Sequence, residues 1–330
     1  MSIPTLSHKA HFFMSDAFTP LRVTRKQLLA KDITLFELAS PDGQPLPAFT
    51  AGAHITVQTP SGVRRSYSLC GNPEHTTTWQ IAVKRDANGR GGSQNMVDAV
   101  HAGDLLPTSS WSNLFALNEK AAAYIFVAGG IGITPILSMV RHLQNQGRTN
   151  FKLYYCTRDP ESTAFLDVLQ SPDLQDKVVI HHDQGDPTQA LDLWPVFESP
   201  NASHVYCCGP QGLMDSVRDM TGHWPSEHIH FESFGTAPTQ FADNQAFDVV
   251  LNKTGTRVHV TSEQSILQAL RAAGQHVPSS CESGTCGSCR TTLLSGDVEH
   301  RDWVLRPEEQ AQHIMVCVSR AKSNELVLDL

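Results

Sequence analysis

The hydrophobic pattern of the chain changes its rhythm twice. Between residues 21 and 118, short stretches alternate apolar and polar positions: Ile33-Thr-Leu-Phe-Glu-Leu38, His54-Ile-Thr-Val-Gln58, Val63 to Leu69 and Trp79-Gln-Ile-Ala-Val-Lys84. A period of two puts one face of each strand against a core. Pro41-Asp-Gly43 turns the chain, and Pro60-Ser-Gly62 between two of the strands predicts a hairpin. Strands spaced this closely predict a small antiparallel barrel. One short helix is expected from Ser93 to Val100, with Ser93 as its N-cap.

Near Glu119 the character changes. Tyr124-Ile-Phe-Val-Ala128 is a continuous apolar run, the mark of a parallel strand buried on both faces. Helical spacing follows through Ile136, Met139, Val140 and Leu143. Then come strand Phe151 to Cys156, a helix from Ser162 to Gln170, strand Val178 to His181 and strand His204 to Cys208. Strands alternating with helices predict a doubly wound α/β domain. Residues 235–246 have linker composition. Beyond them, Phe247 to Leu251 and Val258 to Val260 predict a hairpin around Lys253-Thr-Gly255, and Ser262 to Arg271 a helix ended by Gly274. The division read from these changes is an arm at 1–17, a barrel at 18–118, an α/β domain at 119–234, a linker at 235–246 and a last domain at 247–330.

Composition narrows the function. The formal net charge of −8 over 330 residues argues against nucleic acid as a partner. The charge-free run from Ala121 to Val140 is long enough to span a bilayer, but Gly129, Gly130, Gly132 and Pro135 interrupt it. A buried strand, a glycine turn and a helix fit it better, so no membrane span is expected. The first residues lack a charged-then-apolar signal pattern, which predicts a cytoplasmic protein.

Three sets of residues carry chemistry. Arg65-Ser66-Tyr67-Ser68 lies on a barrel strand, where Arg65 and Tyr67 share one face and Ser68 takes the other. An arginine suits a phosphate, an aromatic ring can back a planar ring system, and a hydroxyl can bond a ring nitrogen. Gly89-Arg-Gly91-Gly92-Ser93 follows and opens the short helix as a phosphate cradle. In the α/β domain, Gly129-Gly130-Ile-Gly132-Ile-Thr134-Pro135 joins a strand to a helix. It nearly matches the dinucleotide fingerprint, with Pro135 in place of the third glycine. Cys207-Cys208-Gly209-Pro210 ends another parallel strand, where ligands of such folds bind. Thr157-Arg158-Asp159 ends the second strand. Arg158 suits a 2′-phosphate and Asp159 a ribose hydroxyl, so the two pull in opposite directions. His181 and His182, adjacent on a strand, point to opposite faces and do not predict a metal.

The third set is the most specific. Cys281, Cys286 and Cys289 follow the spacing C-x4-C-x2-C, and Cys317 stands further on. This is the plant-type pattern for a [2Fe-2S] cluster held by four thiolates. Gly284 and Gly287 let the loop turn its N–H groups inward. A zinc site would show two C-x2-C pairs, and only one is present.

In this order the motifs resemble the ferredoxin–NADP reductase superfamily and, within it, the phthalate dioxygenase reductase family, the single-chain reductases of Rieske oxygenases. The likeness runs from about residue 18 to the C-terminus and includes Ala82 to Ser93, His230-Phe-Glu-Ser-Phe-Gly235 and Pro278-Ser-Ser-Cys281. It implies an antiparallel flavin-binding β-barrel, a doubly wound α/β nucleotide-binding domain and a β-grasp ferredoxin domain. It implies FMN in the first, NADH in the second and a [2Fe-2S] cluster in the third. Arg65 and Ser93 are then expected near the FMN phosphate, with Ser66, Ala82, Lys84, Gly91 and Gly92 around it. Tyr67 and Ser68 are expected at the isoalloxazine, and Phe234 stacked on it. Cys208 is expected near the nicotinamide. The expected function is electron transfer from NADH to a Rieske-type dioxygenase of phthalate-like substrates, with a monooxygenase or an O-demethylase as the alternative acceptor. A monomer is expected, as suits a shuttle that presents its cluster. A redox-sensing binding module is the rival reading, but such a module would not need two nucleotide sites.

Overall fold

The computed structural model describes residues 18–89, 91–234, 244–279, 282, 284 and 287–330. The expected arm at 1–17 and residues 235–243 of the expected linker lie outside them.

The first sheet has six strands: β1 (Thr19–Ala30), β2 (Ile33–Ala39), β3 (His54–Gln58), β4 (Arg64–Ser68), β5 (Trp79–Lys84) and β6 (Leu105–Thr108), with helix α1 (Gly92–Ala99) before β6. Their order is β4-β3-β6-β1-β2-β5, and every pairing is antiparallel. A bridge between Leu69 and Ile81 brings the end of β4 to β5 and curls the sheet into a barrel. The predicted hairpin is β3–β4, turned at Gly62 with φ of 82°. β2 shows why alternation reads weakly here. Phe36 and Leu38 fill the barrel, while Ile33 and Leu35 on the opposite face pack on the next domain.

The second sheet is parallel, in the order β11-β10-β7-β8-β9. It comprises β7 (Ala123–Gly129), β8 (Phe151–Thr157), β9 (Val178–His182), β10 (Ser203–Cys208) and β11 (Ile229–Glu232). Helices α2 (Ile133–Asn145), α3 (Leu166–Leu169), α4 (Trp194–Phe197) and α5 (Gln211–Met220) connect or cover it. Tyr124, Phe126 and Ala128 of β7 pack with α2, and Ile125 and Val127 pack with Phe197, Met214 and Val217. Both faces are therefore covered, as the apolar run requires.

The helix expected from Ser162 to Gln170 is cut to the single turn α3. Phe165 stands before it with φ of 61°, and a left-handed residue cannot continue a helix. β1, β6, α4, α5 and β11 are additional to the sequence reading.

The last domain is a β-grasp: β12 (Phe247–Leu251), β13 (Arg257–Val260), helix α6 (Ile266–Ala272), β14 (Arg290–Ser295), β15 (Val298–Glu299), helix α7 (Pro307–Gln310), β16 (His313–Met315), β17 (Arg320–Ala321) and β18 (Glu325–Leu328). Its five-stranded sheet runs β13-β12-β18-β14-β16, with β12 and β18 parallel. The capping box of α6 is built on Ser265, whose side chain accepts from Gln268 N–H, so the helix starts later than Ser262. Among the described residues no helix is long and apolar enough to cross a membrane.

Candidate functional site

On β4, Arg65 and Tyr67 are half-buried between the exposed Arg64 and Ser66. Ser66 Oγ lies 3.0 Å from Thr56 Oγ1 on the neighbouring strand. The Tyr67 ring packs on the barrel core, and its buried hydroxyl has no hydrogen-bond partner among the described residues. Burial pushes its pKa up to about 12, so it remains a neutral donor. A buried hydroxyl without a partner is costly, and a ring-bearing ligand that bonds it removes the cost.

The Arg65 guanidinium lies over the start of α1. A Cβ at Gly92 would stand 2.6 Å from Arg65 Nε, so only glycine allows this approach. Gly91 caps the helix with φ of 77°, a conformation glycine adopts at no steric cost. The N-cap is thus Gly91 and not Ser93. Ser93 sits in the first turn, where its Oγ accepts from Asp86 N–H at 3.1 Å. A guanidinium, a helix N-terminus and a hydroxyl meeting at one place suit a phosphate. On β5, Ala82 is buried against the second domain, while Lys84 is exposed.

Ser68 lies on the face of β4 that carries the exposed Arg64 and Ser66, yet it is buried, because the α/β domain covers it. Its hydroxyl donates to Glu232 Oε2 at 3.3 Å, at the carboxyl end of β11. Beside β11 in the sheet, Cys208 pairs in register with Glu232. Burial, followed by the Glu232 charge, pushes the Cys208 thiol well up, so the sulfur stays protonated. Two residues past Glu232, Phe234 exposes 49% of its surface, which leaves an aromatic face for a partner ring. Glu232 was not singled out by pattern reading. Its only signal was its place within His230 to Gly235.

The glycines after β7 do two different things. A Cβ at Gly132 would lie 2.1 Å from the Cys208 carbonyl oxygen, and one at Gly129 would lie 2.5 Å from Pro210 Cδ. A Cβ at Gly209 would lie 2.9 Å from the Gly129 backbone. These residues lock the Gly129–Gly132 turn against Cys208-Gly209-Pro210, side by side at the carboxyl ends of adjacent parallel strands. Gly130, with φ of 53°, is the one that faces open space. Thr134 is buried and donates to the Ile131 carbonyl at 3.0 Å.

At the end of β8, the Thr157 hydroxyl is engaged internally, 2.7 Å from Thr163 Oγ1 and 2.9 Å from His182 Nδ1. Asp159 Oδ1 accepts from Ser162 N–H at 2.8 Å, and the Ser162 contacts hold its carboxyl below the usual range. Arg158 is exposed beside them.

In the last domain, Cys289 and Cys317 are both buried. The register Arg290↔Met315 between β14 and β16 brings Cys289 beside Val316, one residue from Cys317. Cys281 and Cys286 lie outside the described residues. Gly284 and Gly287 both take φ of 78°, as the inward-wrapping loop requires. A Cβ at Gly284 would press to 2.8 Å from Val318 Cγ2, so this loop packs on the chain that carries Cys317. Buried thiols with left-handed glycines beside them fit an iron–sulfur cluster.

Comparison with known proteins follows the same three-part order. Residues 126–219 match the oxidoreductase NAD-binding domain family, and residues 249–322 the 2Fe-2S iron-sulfur cluster binding domain family. The phthalate 4,5-dioxygenase oxygenase reductase subunit of Pseudomonas putida is 57% identical over 96% of this chain and 98% of its own. A solved phthalate dioxygenase reductase, described as a modular structure for electron transfer from pyridine nucleotides to [2Fe-2S], superposes with a TM-score of 0.75. It is 56% identical, and the match covers 96% of this chain and 98% of that one. The vanillate O-demethylase oxidoreductase of Pseudomonas putida is 40% identical over 91% of this chain and 96% of its own. Identity that runs unbroken through barrel, nucleotide and cluster domains leaves one assignment: the chain belongs to the phthalate dioxygenase reductase family of flavin and iron–sulfur oxidoreductases.

Proposed function

We propose that this chain takes a hydride from NADH and passes its electrons singly, by way of FMN and a [2Fe-2S] cluster, to a Rieske-type dioxygenase that acts on a phthalate-like aromatic ring. The observation that carries the reading is the arrangement of polar groups along β4. Arg65 over Gly92 marks one end, and the Ser68–Glu232 hydrogen bond, closing against the nucleotide domain, marks the other. Bound FMN would supply the conversion of a two-electron hydride into single electrons, and the cluster their one-electron exit.

The protein's own part is binding, distance and water exclusion. Arg65, Gly91, Gly92 and Ser93 would hold the FMN phosphate, with Ser66, Ala82 and Lys84 around it. Tyr67 and Ser68 bond the ring, and Phe234 covers it. Gly130 and the start of α2 receive the pyrophosphate of NADH, with Gly129, Gly132, Thr134, Gly209 and Pro210 keeping the two loops in place. Cys208 presents a neutral thiol to the nicotinamide, and Thr157 and Arg158 border the nucleotide. Cys281, Cys286, Cys289 and Cys317 ligate the cluster. The thiols of Cys70, Cys207 and Cys208 are buried and free of disulfides, which suits the cytoplasm. The 57% identity to a phthalate-type reductase, against 40% to a vanillate-type one, favours the aromatic-ring dioxygenase as acceptor.

Replacing Cys317 by Ser tests the order of the carriers. The expected outcome is loss of cytochrome c reduction with ferricyanide reduction by the flavin intact. Survival of both activities would show that electrons leave before the cluster.

A further inference from the structure

Trp303 stands between β15 and α7, in a polar stretch of the ferredoxin domain. Its backbone N–H donates at 2.9 Å to the carbonyl of Gly284, inside the loop that carries Cys281 and Cys286. The turn that holds it is fixed from beneath. The buried carboxylate of Asp302 accepts from Val304 N–H at 3.2 Å and Leu305 N–H at 2.8 Å, and Ser319 Oγ lies 3.3 Å from it. The position of the Trp303 backbone is therefore tied to that of the cluster loop.

Its side chain belongs to another domain. The indole joins the apolar cluster of Val127, Val205, Met214 and Val217 between the parallel sheet and α5. Its ring centroid lies 4.9 Å from that of Phe231 on β11, and the Arg218 guanidinium of α5 sits 4.5 Å from its centre. An aromatic ring and a cation on its face are the contacts from which a docking anchor is made. Beside the indole, a cleft of about 220 Å³ lies where the three domains meet, lined by Leu114 and Phe115 of the barrel, His230 and Phe231 of the α/β domain and Val304 of the ferredoxin domain among others. Around the anchor, then, the interface is partly open.

The residue after Phe231 is Glu232, which accepts from Ser68 on the barrel. One continuous series of contacts thus runs from the cluster loop at Gly284, through Trp303, Phe231 and Glu232, to Ser68. We propose that Trp303 is the positioning residue for electron transfer between flavin and cluster: its backbone holds the cluster loop, and its indole seats that loop against β11. Each hydride brings two electrons into the chain, and they leave one at a time to the acceptor. Trp303 is neither oxidised nor reduced.

The test compares the holoenzyme with Trp303→Ala and Trp303→Phe. Loss of an aromatic anchor lowers the docked fraction by about tenfold or more. In anaerobic stopped-flow with NADH, flavin reduction should keep its rate in both variants, while cluster reduction should slow by about tenfold in Trp303→Ala. Trp303→Phe should recover most of that rate, because the contact with Phe231 survives. Two readouts stand apart from turnover. The electron paramagnetic resonance signal of the dithionite-reduced cluster should be unchanged, and small-angle scattering should show a larger radius of gyration for Trp303→Ala alone. Wild-type interdomain transfer with an unchanged radius would overturn the proposal. So would equal slowing of flavin and cluster reduction, failure of Phe to recover the rate, or loss of the cluster from both variants.

Discussion

Gly132→Ala is the sharpest probe of how the nucleotide site is built. The backbone there is ordinary, with φ of −61°, so alanine adds no torsional strain. All of the effect comes from one methyl group. That methyl would lie 2.1 Å from the Cys208 carbonyl oxygen, 2.5 Å from its carbon and 2.9 Å from Gly209 N. These are backbone atoms at the end of β10, paired to β7 on one side and β11 on the other, so they cannot swing aside as a side chain would. Overpacking of this kind costs about 3 kcal/mol, the upper part of the usual range. In native-state hydrogen exchange, opening of the β7 and β10 amides should become about 100-fold more frequent. Gly130→Ala is the control. Its methyl meets nothing within 4 Å, but φ of 53° imposes a left-handed conformation worth about 1–2 kcal/mol. NADH affinity should fall in both variants, with flavin content unchanged. An exchange rate for Gly132→Ala within about threefold of wild type, or a larger effect from Gly130→Ala, would refute the reasoning.

Two other outcomes follow from the same geometry. Gly92→Ala should displace the Arg65 guanidinium, since the new Cβ would lie 2.6 Å from Nε. FMN affinity should drop about tenfold with little change in melting temperature, because a flexible arginine can move aside without breaking the fold. Retained wild-type FMN affinity in a dialysis titration would count against Arg65 as a phosphate ligand. The second concerns acid. His230 stacks on Tyr206 at 4.3 Å between ring centroids, its Nε2 lies 2.9 Å from His204 Nδ1, and burial lowers its pKa from 6.5 to about 4. The unfolded chain takes up this proton more readily than the folded one. The stability the neutral ring lends is therefore complete above about pH 6.5 and is lost as pH falls toward about 4. The full shift corresponds to about 3 kcal/mol, and residual solvent access trims it to about 2. His230→Phe should flatten the fall in melting temperature between pH 7 and pH 4.5, and an unchanged slope would discount His230 as its source.

The parts of this molecule legible in its sequence are those in which a local pattern and a tertiary demand coincide. β7, its glycine turn and α2 were readable because a strand buried on both faces must be apolar throughout, and the turn after it must be small. The β3–β4 hairpin was readable because its turn chemistry is local. The cysteine spacing was readable as a cluster motif because iron demands a fixed spacing of its thiolate ligands, and the match to the 2Fe-2S domain family spans it. The α3 region failed for the opposite reason: helical spacing from Ser162 to Gln170 was overridden at Phe165, whose ring is buried in the domain core at the expense of a left-handed backbone. The glycines of the dinucleotide turn were read as allowing approach of a ligand, yet Gly129 and Gly132 are small because the backbone of the neighbouring strand end lies against them. Smallness is one signal with two causes, and only the fold distinguishes them. Glu232 carried no local signal beyond its place within His230 to Gly235, and Trp303 carried none. Each acts across a domain boundary, one toward Ser68 and the other toward Phe231, and pairing between residues this far apart in sequence leaves no periodicity to detect. In a chain of separate domains, residues that pair across a boundary are therefore the ones a single sequence hides best, and residues whose spacing is set within one motif are the ones it shows.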